Sequence, residues 1–149
     1  MKSKDFPDCF HRTVVKGLFV KDSKILLAKE APHLADKWEL PGGGLSFGED
    51  PHEGLKREIR EEMNLHVTSV SKQPVYVWMD KFEGCKGMDW YYSVVLAYRI
   101  DLENLAFVPT KDIVAIDLFS PQELTKLGDD LYHQSHKLRE VFDLADFTS

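Results

Sequence analysis

Between Gly43 and Leu65 the chain reads GGLSFGEDPHEGLKREIREEMNL, and six of those side chains are carboxylic acids: Glu49, Asp50, Glu53, Glu58, Glu61 and Glu62. Such crowding beside a glycine turn has two readings. It is a solvated helix face, or it is a set of hard oxygen donors that holds a cation. Helical geometry weighs one against the other. Asp50 suits an N-cap, Pro51 the first turn and Glu53 the third position of a capping box, while Asn64 suits a left-handed stop. A helix is therefore expected from about Pro51 to Met63. At roughly 100° per residue with Glu58 at zero, Glu62 lies near +40° and Glu61 near −60°, bordering an apolar stripe of Leu55, Ile59 and Met63. Glu53 falls on the solvent side. Gly54 lies inside the acidic arc, where it is expected to leave room for a ligand.

Like charges at these spacings repel by a few tenths of a kcal/mol, and Arg57 offsets only part of that. A solvated face more naturally alternates signs, as Lys56 and Arg60 do with their neighbours on the far side. The residues thus favour a cation site, and oxygen donors of this kind suit Mg²⁺ or Mn²⁺ and not zinc.

A site of that kind needs a scaffold, and the chain is long enough to supply one. Its 149 residues, 43% hydrophobic and 30% charged, read as a single globular domain over 1–149. The net charge of −6, with scattered Lys and Arg, excludes an extended nucleic-acid surface, which needs a basic patch. A small phosphorylated ligand stays open, provided that cations bridge the two negative partners. No apolar run is long enough to span a membrane. The start, MKSKDFPDCFHR, lacks the apolar stretch of a signal peptide, and Cys9 and Cys85 read as reduced thiols. The expected location is cytoplasmic.

The residues from Thr13 to Val20 and from Ile25 to Ala28 flank the polar turn Lys21–Lys24 as a hairpin would. APHLADKWELPGGG reads as a loop, and HVTSVSKQPVYVWM as strand broken near Pro74. FEGCKGMD reads as a turn-rich loop before a strand from Trp90 to Ile100. A short strand, IVAIDLF, runs into SPQELTKL, where Ser120, Pro121 and Glu123 mark a helix start with a capping box. The tail from Asp129 to Leu144 reads as a C-terminal helix. Strands, helix, strands, helix suggest a mixed sheet with helices packed on it.

The residues Gly43, Glu49, Arg57, Glu58, Ile59, Glu61, Glu62 and Leu65 resemble the Nudix box, G-x(5)-E-x(7)-R-E-U-x-E-E-x-G-U, where U is a bulky aliphatic. The one departure is Asn64 in place of the last glycine, a residue that tolerates positive φ. The resemblance implies an α/β Nudix fold, a mixed β-sheet sandwiched between α-helices. It implies a hydrolase, dependent on Mg²⁺ or Mn²⁺, that cleaves the pyrophosphate link of a nucleoside triphosphate or a nucleoside diphosphate sugar. Carried over by position, Glu58, Glu61, Glu62 and the Gly42 carbonyl would hold metal. Glu58 and Glu61 would serve catalysis, with Glu58 a candidate general base, and Arg57 would orient the carboxylates. Glu49 would contribute from further out.

An acid outside the box often acts in this family, and Asp112, Asp117 and Asp89 are the candidates. Trp90, Trp78, Tyr91 and Phe82 suit nucleobase stacking or plain core packing; Trp90 and Asp112 are the expected substrate contacts. Trp38 reads as a packing residue, and His11, His52 and the pair His133 and His136 as ordinary histidines. The implied partner is a small-molecule nucleotide, with neither extended nucleic acid nor membrane, and a homodimer is left open. The alternative is a non-catalytic nucleotide-binding regulatory domain, which would usually have lost box carboxylates.

Overall fold

The structure, a computed structural model, describes residues 11–85 and 88–148, and their side chains except at 83–85 and 88–90. Strands β1 (His11–Leu18), β2 (Val20–Lys21), β3 (Lys24–Glu30), β4 (Trp38–Glu39) and β5 (Gly42–Gly44) precede helix α1 (Pro51–Met63). Strands β6 (Val67–Val70), β7 (Tyr76–Cys85), β8 (Met88–Leu102) and β9 (Ile113–Phe119) follow, then the short helices α2 (Pro121–Lys126) and α3 (Leu138–Val141).

The mixed sheet expected from the sequence is built as two sheets. In one, β5 lies antiparallel to β1, β1 parallel to β8, and both β6 and β7 pair antiparallel with the long β8. In the other, β3 takes β2, β4 and β9, all antiparallel. The expected first hairpin is divided at Phe19. Only Val20 and Lys21 fold back on β3, through a turn in which Asp22 and Ser23 both take positive φ, 53° and 62°. That turn carries the right-handed twist of a hairpin. The residues up to Leu18 belong to the other sheet.

Alternation along β1 and β3 serves two cores. Val14, Leu18, Ile25 and Leu27 pack with Leu124 of α2 and Leu138 of α3. Val15 and Ala28 pack with Leu55, Ile59 and Met63 of α1. Helices therefore cover both faces of the strands, as the sandwich requires.

Three other expectations are corrected. FEGCKGMD is mostly strand, since β7 runs to Cys85 and pairs with β8 down to Cys85 opposite Met88. The glycine loop contains β4 and β5. The tail is no continuous helix: 3₁₀ turns at Gly128–Asp130, His133–Ser135 and Leu144–Phe147 surround the four-residue α3. Long-range pairing overrides helix propensity there. Leu131 bridges to Trp38, and the Tyr132 amide donates to the Trp38 carbonyl at 2.8 Å, which holds Leu131 extended.

Candidate active site

Helix α1 spans the expected residues, and its ends show why. Asp50 accepts the Glu53 amide at 3.1 Å, and Asn64 takes φ 55° with its N–H on the Arg60 carbonyl. Only half of the expected capping box forms: the Glu53 carboxylate lies 3.6 Å from Lys56 instead. Leu55, Ile59 and Met63 are buried against the sheet, so the acidic arc borders the core at the glycine strand. Gly54 has a different job from the one expected. A Cβ there would lie 2.3 Å from Leu45 Cδ2 and 2.9 Å from Glu49 Oε1, so the glycine lets the Leu45–Glu49 loop close on the helix. It opens no room for a ligand.

That closure sets the carboxylates in order. Arg57 forks onto Glu49, with Nε 2.6 Å from Oε2 and Nη2 2.9 Å from Oε1. The same guanidinium reaches Glu58 Oε1 and Glu61 Oε2, each at 3.1 Å. The Arg57 hydrogen bonds and the Ser46 amide hold the Glu49 carboxyl down to about 2, and Arg57 is itself pushed up by Glu49. Glu58 lies against the glycine strand, where a Cβ on Gly43 would come within 2.8 Å of its carboxylate. Gly42 adopts φ 129°, and a Cβ there would meet the Val15 carbonyl at 2.1 Å, so the close pairing of β5 with β1 requires glycine.

Beside this junction is a cleft of about 210 Å³. It is lined by Gly42, Gly43, Gly44 and Glu62, by the charged Arg12, Lys16, Glu30 and Glu39, and by Phe82, Tyr91, Ser93, Tyr132 and Gln134. Burial pushes the Glu62 carboxyl up to about 8, with Glu58 and Glu39 adding to the shift and Lys16 opposing it. Burial likewise raises Glu30 to about 7, and raises Glu39 against the pull of Lys16. Two buried polar atoms lining the cleft, Glu30 Oε1 and Ser93 Oγ, have no hydrogen-bond partner in the described structure. A larger hollow of about 610 Å³, bounded by Met79, Lys81, His136 and Glu140 among others, contains none of the box carboxylates.

The sequence-predicted residues are placed unevenly. Glu58, Glu61, Arg57 and Glu49 are joined in one network, and Glu62 and Gly42 face the cleft beside it. Asp112 does not line the cleft; its carboxylate lies 3.3 Å from His33 Nε2. Asp117 binds the amide of Leu118. Trp78 is core, with its indole N–H on the Gln134 carbonyl, and Trp38 packs edge-on against Phe119. Phe82 stacks on Tyr91 at 5.4 Å. His133 pairs with Asp80 and His136 with the Leu131 carbonyl, so they do not converge. Trp90 lies in β8 and Asp89 beside it, but their side chains lie outside the described residues, as does Cys9.

Sequence reasoning missed Lys16, Glu30 and Glu39. One signal was available for the first: Lys16 interrupts an inward-facing register of Val14 and Leu18. Among the described residues, no three His, Cys, Asp or Glu side chains are gathered closely enough to grip an ion as they stand. The donor set still fits Mg²⁺ or Mn²⁺, being carboxylates and a backbone carbonyl. Glu58 and Glu61 are drawn toward Arg57, and the carbonyl is already engaged by Lys16.

Fold and site together define an α/β sandwich whose chemistry is concentrated where a capped acidic helix meets a glycine strand. The chain belongs to the NUDIX family, whose domain model matches residues 10–141. A stretch of 63 residues is 38% identical to the putative 8-oxo-dGTP diphosphatase 2 of Mycobacterium tuberculosis, covering 41% of this chain and 45% of that protein. Another, of 69 residues, is 36% identical to the RNA pyrophosphohydrolase of Ruthia magnifica, covering 43% and 37%. The chain thus spans less than half the length of these curated relatives. The solution structure of the E. coli ORF135 protein superposes with a TM-score of 0.67 at 25% identity, over 90% of this chain and 89% of that one. No described helix is long and apolar enough to cross a membrane.

Proposed function

We propose that the chain hydrolyses the phosphoric anhydride link of a nucleoside diphosphate derivative, a nucleoside triphosphate or a nucleoside diphosphate sugar, with Mg²⁺ or Mn²⁺. The observation that carries this reading is the intact acid set: Glu49, Glu58 and Glu61 are tied together by Arg57 against the glycine strand, and Glu62 lines the cleft beside them. A regulatory binder has no reason to keep that set complete. The names of the matched relatives, a diphosphatase and a pyrophosphohydrolase, support the same reaction class.

Glu58, Glu61, Glu62 and the Gly42 carbonyl would hold the metal, which supplies charge neutralisation for the diphosphate and a more acidic bound water. Glu58 is the group for accepting a proton from the attacking water. It is fixed from one side by Arg57 and from the other by Gly43, so it need not reorganise during the reaction. Attack at phosphorus breaks one P–O bond of the bridge, and the bridging oxygen leaves with the other phosphoryl group. Arg57 acts from behind as a positioning residue. The aromatic wall of Phe82, Tyr91 and Tyr132 suits a nucleobase or sugar face, and Trp90 is kept as a base contact on the strength of the sequence.

The test is a panel of nucleoside triphosphates and nucleotide sugars incubated with Mg²⁺ or Mn²⁺, the products resolved by chromatography. Cleavage of at least one member only in the presence of metal is expected. Tight binding with no turnover under either ion would favour the regulatory alternative.

A further inference from the structure

Lys16 is out of place by the rules that govern its strand. It shares the inward face of β1 with Val14 and Leu18, positions that are apolar core, yet it is only 3% exposed. A buried ammonium is costly unless oxygen atoms compensate it, and three do. Nζ donates to the Leu40 carbonyl at 3.1 Å and to the Gly42 carbonyl at 3.3 Å, and Glu39 Oε2 lies 3.8 Å away. The register fixes this arrangement, because β1 pairs with β5 so that Lys16 stands directly opposite Gly42.

Two of the site's cations, Arg57 and Lys16, divide its acids between them. Arg57 binds Glu49, Glu58 and Glu61. Lys16 lies beside Glu39, and its charge also acts on Glu30 and Glu62. The carbonyl that would serve a metal ion is therefore already bound by an ammonium.

We infer that Lys16 is a built-in cation occupying one cation position of the site, so that a divalent ion reaching the Gly42 carbonyl must displace its ammonium. This rests on the proposed metal-binding face. Lys16 thereby lowers divalent-ion affinity while keeping the carboxylates neutralised and the metal-free fold intact.

The experiment titrates Mn²⁺ into the protein without nucleotide, following free ion by electron paramagnetic resonance, for wild type, Lys16→Met and Lys21→Met. Lys21 is exposed on β2 and controls for net charge. Removing a unit positive charge at the ligand carbonyl should tighten Mn²⁺ binding by about tenfold or more in Lys16→Met, and Lys21→Met should match wild type. Equal or weaker binding by Lys16→Met overturns the inference while leaving the metal site standing. Absence of Mn²⁺ binding in both wild type and Lys16→Met overturns the metal site and the inference together. A second measurement covers the case in which Lys16→Met does not fold. In wild type carrying ¹³Cε-lysine, the Lys16 signal, assigned by its loss in Lys16→Arg, should move on addition of Mg²⁺. A signal that stays put overturns the displacement.

Discussion

Replacing Glu62 by Gln separates what the acidic face does for folding from what it does for chemistry. Burial holds the Glu62 proton up to about 8, against an ordinary value of 4.5. Over that window the folded chain binds a proton that the unfolded chain has released. The stability from this group is therefore complete below about 4.5 and is lost as pH rises to about 8. At about 1.4 kcal/mol per tenfold in proton affinity, the full displacement is ~5 kcal/mol, and water at the partly exposed side chain cuts this to about 1–2 kcal/mol. Gln has no charge to bury, and its amide can still donate to Glu58. In metal-free protein Glu62→Gln should thus match wild type at pH 5 and melt about 3–6 °C higher at pH 8, at roughly 2–4 °C per kcal/mol for a chain of this size. With millimolar Mg²⁺ the order reverses, since wild type gains a ligand-linked stabilisation that the variant lacks. Turnover should fall by at least about 100-fold, more than loss of an outer partner costs. Glu53→Gln, which changes an exposed acid paired only with Lys56 at 3.6 Å, is the control and should keep near-normal turnover. Circular dichroism melts at both pH values, with and without Mg²⁺, decide the matter. A Glu62→Gln protein that melts at or below wild type at pH 8 without metal refutes the desolvation argument. Equal activity losses in the two variants refute the one-sided metal face.

Arg57→Lys keeps the charge but cannot fork onto Glu49 while reaching Glu58 and Glu61, so kcat should drop about 10- to 100-fold with the melting temperature nearly unchanged; steady-state kinetics checks this. Gly54→Ala should gain about 1 kcal/mol of helix propensity and lose about 1–3 to overpacking against Leu45 and Glu49, a net loss measurable by urea unfolding. A neutral or stabilised Gly54→Ala would show that the position is open space after all. Asn64→Gly relieves a side chain held at φ 55° and should stabilise by a few tenths of a kcal/mol with no change in turnover.

The reach of the sequence follows the range of the interactions. Helix α1 was legible to the residue because its signals are local: Asp50, Pro51, the stripe of Leu55, Ile59 and Met63, and Asn64 all act within a few residues of one another. The capping box of α2 was legible for the same reason, and the structure shows both of its bonds, at 3.0 and 3.1 Å. The tail failed because Leu131 and Tyr132 answer to Trp38, more than ninety residues away in the chain. The long hairpin of β7 and β8 was hidden by a glycine and cysteine segment that composition marks as a loop.

The candidate site divides along the same line. Spacing within one helix was enough to put Glu58, Glu61 and Glu62 on a shared face and to leave Glu53 outside it. It could not show that Arg57 would spend itself on Glu49, because that contact depends on the loop closing over Gly54. Nor could it supply the rest of the cleft lining, to which Glu30 and Glu39 come from the second sheet. An acid outside the helix was expected at Asp112, Asp117 or Asp89; strand pairing also brings Glu30 and Glu39 to the cleft that Gly42 lines. Lys16 is the instructive case. A lone lysine in an apolar strand reads as an edge or a surface position. The pairing of β1 with a glycine strand brings the Gly42 carbonyl opposite it, and that carbonyl, the Leu40 carbonyl and Glu39 together compensate the buried ammonium. The glycine that lets β5 pair closely with β1 thus also brings its carbonyl to the buried ammonium.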